Sequence, residues 1–230
     1  MKSATTLYII HGWTYTTNYW EKTIKLLAEK GLRIKMLNVP GLTSPSTAVW
    51  DIDKYVAWAD QNLPKNCVVL GHSNGGRILL NLASQDPTKI KHLILLNSAG
   101  VYRRSLKTAI FAKIAKIFAI FKRIKVIRKI FHKLIGASDY AHAPQNMQKT
   151  LSNMLDSDQN LDVTQVKTRT SILWGGLDQV TKLRDGELLH QKIAHSSLKI
   201  IPNWDHAPYI KHPKRLADEI FAVLKKEHLL

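Results

Sequence analysis

Short apolar runs alternate along the chain with longer segments of helical spacing. Leu7-Tyr8-Ile9-Ile10 lacks polar alternation, the pattern of a strand buried on both faces. Trp20 to Lys30 then sets Ile24, Leu27 and Ala28 at helical intervals, with Gly31 as C-cap. Arg33 to Val39 predicts a second strand, stopped by Pro40-Gly41. Asp51 to Asn62 predicts a helix with Ile52, Tyr55, Val56 and Ala59 on one side. Cys67 to Leu70 is a third strand, followed by a glycine-rich turn and a helix through Ala83, and Ile90 to Leu96 is a fourth. Ser171 to Trp174 and Leu198 to Ile201 are the last two strands, with a helix between them over Leu183 to Ala194. Pro213 to Lys226 is a terminal helix with Leu216, Ile220, Val223 and Leu224 on one side.

Six strands alternating with helices of about a dozen residues predict βαβ units. The expected fold class is α/β, a mainly parallel doubly wound sheet with helices on both faces. One break interrupts the alternation. From Val101 to Val166 no strand pattern occurs, only helical periodicity and polar connections. An insertion before the last two strands, at the carboxyl edge of the sheet, overlies the place where such folds bind ligands. The expected organisation is a core of residues 1–100 and 167–230 with a helical lid at 101–166.

Composition alters this picture mainly at the lid. The formal net charge is +17, and between Arg103 and Lys133 stand 11 Lys or Arg with no Asp or Glu. In the same stretch Ile110, Ile114, Ile117, Phe118, Phe121, Ile124, Ile127, Phe131 and Leu134 recur every three or four residues, which predicts amphipathic helices. Two readings stand: the apolar face covers the site while the lysines are solvated, or the cationic face meets an anionic membrane surface or anionic substrates. The segment lacks interleaved stacking aromatics, so no nucleic-acid partner is expected. The lone cysteine, Cys67, sits in an apolar run and reads as a buried small side chain. The first apolar stretch is too short for a signal peptide, and no uncharged span approaches the roughly 20 residues of a membrane helix. A soluble, cytoplasmic protein is the expectation.

Three positions carry the chemistry. Gly71-His72-Ser73-Asn74-Gly75 fits G-x-S-x-G between an apolar strand and an apolar helix, the context that motif requires. The glycines relieve collisions in a strand-to-helix turn so sharp that Ser73 is strained, and the turn lifts its Oγ at a helix N-terminus. Serine needs a base, and the base needs an orienting acid. Asp178 follows the strand Ser171 to Trp174, and His206 lies in the loop after Leu198 to Ile201, so the chain order is Ser…Asp…His. Asp205 points away from its neighbour's ring, and Asp139, inside the lid, is the alternative acid. The oxyanion of a tetrahedral intermediate needs two N–H donors, expected from Asn74 and from Trp13 in the loop Ile10-His11-Gly12-Trp13. His11 and His72 read as structural hydrogen bonders.

Together Tyr8 to Trp13, Val68 to Gly76, Leu95 to Gly100, Leu173 to Asp178 and Asp205-His206-Ala207-Pro208 resemble the α/β-hydrolase superfamily. The likeness is closest to its capped, lipase/esterase-like bacterial serine hydrolases and covers essentially all of the chain but the lid. The resemblance implies Ser73, Asp178 and His206 as the triad, with Trp13 and Asn74 as oxyanion donors. Two features depart from the family: Asp205 stands where a glycine usually precedes the histidine, and the first one or two strands of the sheet are missing. Serine at 73 excludes relatives with a nucleophilic aspartate.

No His, Glu or Cys set has metal-ligand spacing and no G-x-G-x-x-G follows a strand, so neither a metal nor another cofactor is expected. The expected activity is hydrolysis of small to medium acyl esters or lactones through an acyl-enzyme. Two alternatives stand beside it: hydrolysis of a carbon–carbon bond in a dienoic diketone-type acid, and a non-catalytic receptor of the same fold.

Overall fold

The computed structural model describes residues 5–101 and 144–230 of the chain. Six strands form one sheet: β1 (Thr6–Ile10), β2 (Arg33–Met36), β3 (Cys67–His72), β4 (Ile90–Leu96), β5 (Thr170–Gly175) and β6 (Ser196–Ile201). Their order is β2-β1-β3-β4-β5-β6, and every pairing is parallel. The helices are α1 (Glu21–Glu29), α2 (Ile52–Asn62), α3 (Asn74–Gln85), α4 (Gln145–Ser157), α5 (Leu183–Lys192), α6 (Pro208–Lys211) and α7 (Pro213–Lys226).

Side chains that alternate along each strand feed two cores, because successive residues point to opposite faces. On one face Leu7, Ile9, Val68, Leu70, Ile94, Leu96 and Leu173 pack with Leu27 of α1 and Leu216, Ile220 and Leu224 of α7. On the other, Ile10, Val69, Leu93, Leu95, Ile172 and Trp174 pack with residues of α2, α3 and α5. Burial on both faces is why the central strands read as unbroken apolar runs.

Pairing sets strand ends that periodicity leaves open. β3 continues past Leu70 to His72 because Gly71 pairs with Leu95 and His72 with Leu96. This extension carries the chain to the carboxyl edge, where Ser73 follows. At the sheet's edge β2 has only β1 to pair with and stops at Met36, three residues short of the expected end. Val39 instead anchors a turn, its carbonyl accepting from Leu42, Thr43 and Ser44. Among the described residues no strand precedes β1.

Between β4 and β5, residues 102–143 lie outside the described residues, and with them the cationic run and Asp139. Among those described in this connection are α4 and a 3-10 turn at Val163–Gln165, with no strand. Met147 and Met154 of α4, with Val163 and Val166, are buried in the core that α2 and α3 share. Cys67 is buried too, and burial pushes its thiol up to about 11. It is a packing residue. Among the described residues no helix is long and apolar enough to cross a membrane.

Candidate active site

Three chain segments meet at the carboxyl ends of β3, β5 and β6. The first is the turn from β3 into α3. Ser73 there has φ 51° and ψ −118°, a left-handed conformation that a β-carbon disfavours. Such a residue costs on the order of 1–3 kcal/mol and persists only where its surroundings fix it. Here the Ser73 N–H donates to Leu96 O at 3.2 Å, and Ser73 O accepts from Gly76, Arg77 and Ala99. The elbow glycines are required sterically. A β-carbon on Gly71 would lie 2.6 Å from Gly76 Cα, and one on Gly75 would lie 2.0 Å from Ile10 O.

The second and third segments bring Asp178 and His206 to Ser73. His206 Nε2 lies 3.0 Å from Ser73 Oγ, and His206 Nδ1 lies 2.8 Å from Asp178 Oδ2. An ionised carboxylate only accepts, so Nδ1 carries the ring proton and Nε2 presents its lone pair to the serine hydroxyl. Asp178 is fully buried at its side chain, and Val180 N and Thr181 N donate to its Oδ1 at 2.8 and 3.0 Å.

Asp205 is engaged elsewhere, as its position beside His206 predicts. Its Oδ1 accepts from Ala207 N at 3.2 Å, and its Oδ2 receives Lys211 Nζ at 2.5 Å. This local turn closes the loop around His206. The two other histidines are structural hydrogen bonders. His11 Nδ1 donates to Gly12 O at 2.7 Å, leaving Nε2 to accept from Thr43 Oγ1 at 2.8 Å. His72 Nε2 donates to His206 O at 2.8 Å. Burial, reinforced by the neighbouring His206, holds the His72 ring well below the usual imidazole range.

Trp13 and Asn74 line the same cavity as Ser73 and His206, a space of about 470 Å³. Gly12 passes so close that a β-carbon there would stand 2.9 Å from Ser73 Cβ, which brings the backbone before Trp13 against Ser73. Asn74 opens α3, where helix geometry leaves N–H groups without intrahelical acceptors. Leu151, Leu155 and Val180 give the cavity an apolar wall. Among the described residues no group of three or more His, Cys, Asp or Glu is arranged to hold a metal.

Four residues at the site carry no role in the sequence reading. Arg77 donates to both oxygens of Asp158 at 2.7 and 2.9 Å, and its Nη1 donates to Asn74 Oδ1 at 2.7 Å. Asn97 ties three loops: its Nδ2 donates to Asp205 O and His206 O, and its Oδ1 accepts from Gly175 N. Thr181 sets its hydroxyl 2.8 Å from Asp178 Oδ2 and 3.3 Å from His206 Nδ1. The spacing Asp178-x-x-Thr181 is a local signal for such a turn. Arg77 on the buried face of a helix is a second signal, but its partner lies 81 residues away.

Comparison with known proteins agrees with this architecture. A family model described as alpha/beta hydrolase fold matches residues 5–123. The chain belongs to the α/β-hydrolase family. It is 22% identical over 235 residues to a pimeloyl-[acyl-carrier protein] methyl ester esterase of Nitrosomonas europaea, covering 91% of each chain. Among solved structures it is similar to an alpha/beta hydrolase enzyme from the metagenome of Mar Chica lagoon sediments, with TM-score 0.69 and 20% identity, covering 98% of this chain and 93% of the other. It is also similar to a serine hydrolase involved in carbazole degradation, with TM-score 0.68 and 18% identity, covering 97% and 92%. At these identities the solved structures establish the shared fold.

Proposed function

We propose that this hydrolase cleaves carboxylic esters of small to medium acyl chain, or lactones, with Ser73 as nucleophile, His206 as general base and Asp178 as its orienting acid. The observation that carries the reading is the unbroken chain of contacts Ser73 Oγ–His206–Asp178 at 3.0 and 2.8 Å, opening on the cavity. A volume of about 470 Å³ falls within the roughly 300–1,000 Å³ of small-molecule sites.

In the first half-reaction His206 Nε2 takes the proton from Ser73 Oγ as that oxygen attacks the ester carbonyl. The carbonyl oxygen becomes an oxyanion, which the backbone N–H groups of Trp13 and Asn74 receive. His206 then gives the proton to the departing alkoxide, leaving an acyl group on Ser73. In the second half-reaction His206 deprotonates a water that attacks the acyl-enzyme, and the proton returns to Ser73 as the acid leaves. Asp178 stays ionised throughout and stabilises the imidazolium that forms in each half. The region 101–166 is proposed as a cap over this cavity, in keeping with Leu151 and Leu155 on its wall.

The test is a panel of p-nitrophenyl esters of increasing chain length, simple methyl esters and lactones. Ser73→Ala should remove nearly all hydrolysis together with fluorophosphonate labelling. Asp178→Asn should leave the fold intact and lower kcat roughly 10³–10⁴-fold, because the imidazole loses the partner that fixes its tautomer. Retention of more than a few per cent of activity by Ser73→Ala overturns the reading. Greater damage from Asp139→Asn than from Asp178→Asn moves the acid into the insertion.

A further inference from the structure

We propose that Thr181 is a positioning residue for the reaction: its hydroxyl, bonded to Asp178 Oδ2 and lying beside His206 Nδ1, fixes the carboxylate that holds the base. The proposal rests on the reading of Ser73, His206 and Asp178 given above.

Asp178 is an anion with no exposed side-chain surface, and among the described residues its only ion-pair partner is His206. Such a group must be satisfied by hydrogen bonds. Its two oxygens are served differently. Oδ1 accepts from Val180 N and Thr181 N, two backbone donors that the turn supplies whatever side chain stands at 181. Oδ2, the oxygen that holds the base, receives His206 Nδ1 and the Thr181 hydroxyl, each at 2.8 Å. The second donor on that oxygen therefore depends on one side chain.

The hydroxyl has one proton and two neighbouring pure acceptors, Asp178 Oδ2 at 2.8 Å and Asn97 O at 3.1 Å. The shorter, charge-assisted bond wins. With the proton so directed, the threonine oxygen turns a lone pair toward His206 Nδ1, 3.3 Å away. Any swing of the imidazole off the carboxylate in that direction meets this oxygen. Asn97, in the loop after β4, sets its carbonyl 3.1 Å from the hydroxyl and donates through Nδ2 to the His206 carbonyl at 3.1 Å, so that loop abuts both the acid's turn and the base's loop.

Without the hydroxyl, His206 is the remaining donor to Oδ2 among the described residues, and the carboxylate, still held at Oδ1 by the turn, is less firmly fixed at the oxygen that holds the base. His206 Nε2 then loses its fixed 3.0 Å approach to Ser73 Oγ. Misplacement of a reacting group by about 1 Å costs on the order of 10²-fold in rate. Thr181 also lines the cavity, but a valine of nearly the same shape leaves that wall in place, so ground-state binding changes little and the loss belongs in kcat.

Thr181 is nearly buried, and a packing role for its methyl group predicts the opposite mutational order. Thr181→Val keeps the volume and removes the hydroxyl, whereas Thr181→Ser keeps the hydroxyl and removes the methyl. With a short-chain p-nitrophenyl ester, Thr181→Val should lose about 10- to 100-fold in kcat with KM within about twofold of the parent. Thr181→Ser should keep at least half of the parent kcat. If Thr181→Val does not fold, as judged by circular dichroism, Thr181→Ala and Thr181→Ser differ by the hydroxyl alone and decide the same question. Ser73→Ala runs in the same assay. Activity in that variant refutes the underlying reading and this proposal with it. An inactive Ser73→Ala beside a Thr181→Val that keeps more than half of kcat overturns the Thr181 proposal alone. So does a Thr181→Ser that falls as far as the valine or alanine variant.

Discussion

The Arg77–Asp158 pair gives the fold a sharp stability test at the edge of its site. Arg77 and Asp158 side chains are 5% and 12% exposed, and they meet through two charge-assisted bonds at 2.7 and 2.9 Å. The pair joins α3, which begins beside Ser73, to the C-terminal end of α4, the helix that returns the insertion to the core. Asp158→Ala leaves a guanidinium buried, with Asn74 Oδ1 as its remaining side-chain acceptor among the described residues. Removing one member of a buried pair costs about 3–5 kcal/mol, because the survivor remains desolvated. Asp158 lies on the cavity wall, where water can reach the exposed guanidinium, so the lower end, about 3 kcal/mol, is expected. At urea slopes of roughly 2–3 kcal/mol/M this moves the unfolding midpoint down by about 1–1.5 M. The double variant Arg77→Met with Asp158→Leu removes both charges at once and should recover most of that loss, since well-packed apolar replacements of buried pairs are often neutral or stabilising. Urea unfolding of the parent, both single variants and the double variant closes a thermodynamic cycle, and the coupling should exceed about 2 kcal/mol. A cost below about 1 kcal/mol for Asp158→Ala, or a double variant no better than the worse single one, refutes the argument.

Two further expectations concern pH and charge. Burial is the first cause holding His11, His72 and His92 below the usual imidazole range, so the unfolded chain binds protons at these positions that the fold refuses. Their stabilisation is complete above about pH 6.5 and is lost as pH falls, by up to about 1.4 kcal/mol per unit for each, until the folded groups themselves protonate. Urea midpoints constant between pH 7.5 and 5.5 would count against it. The cationic run from Arg103 to Lys133 is proposed to meet anionic lipid, each lysine near the surface contributing on the order of 1 kcal/mol. Co-sedimentation should show binding to phosphatidylglycerol but not phosphatidylcholine vesicles, lost at about 0.5 M salt. Glutamine at Lys122, Arg123, Lys125, Arg128 and Lys129 should abolish it while sparing hydrolysis of a soluble ester. Indifference to anionic vesicles at low salt rejects the membrane role.

What was legible in the sequence was what short-range physics writes there. Strands buried on both faces must be apolar at every position, so Val68 to Leu70 and Leu93 to Leu96 announce themselves without any knowledge of their partners. The elbow is legible for the same reason, because Gly71 and Gly75 answer collisions within and beside one turn. Strand ends were less legible, since β3 stops where β4 stops pairing with it and β2 where β1 does. Arg77 with Asp158, and Asn97 with the loop before His206, were hidden because each bond spans more than 80 residues and no local pattern encodes it. Backbone conformation joins the two cases. Among the described residues the non-glycine positions of positive φ are Asn66, Ser73, Asn97 and His228. Asparagine and histidine are enriched in that region, so three of the four fit their sites by residue type. Serine has no such aptitude. A residue poorly suited to its conformation, held there by hydrogen bonds from β4 and α3 and from the loop after β4, marks a place where local preference yielded to something else. At Ser73 that something is the direction of one oxygen, aimed at His206 Nε2 across 3.0 Å.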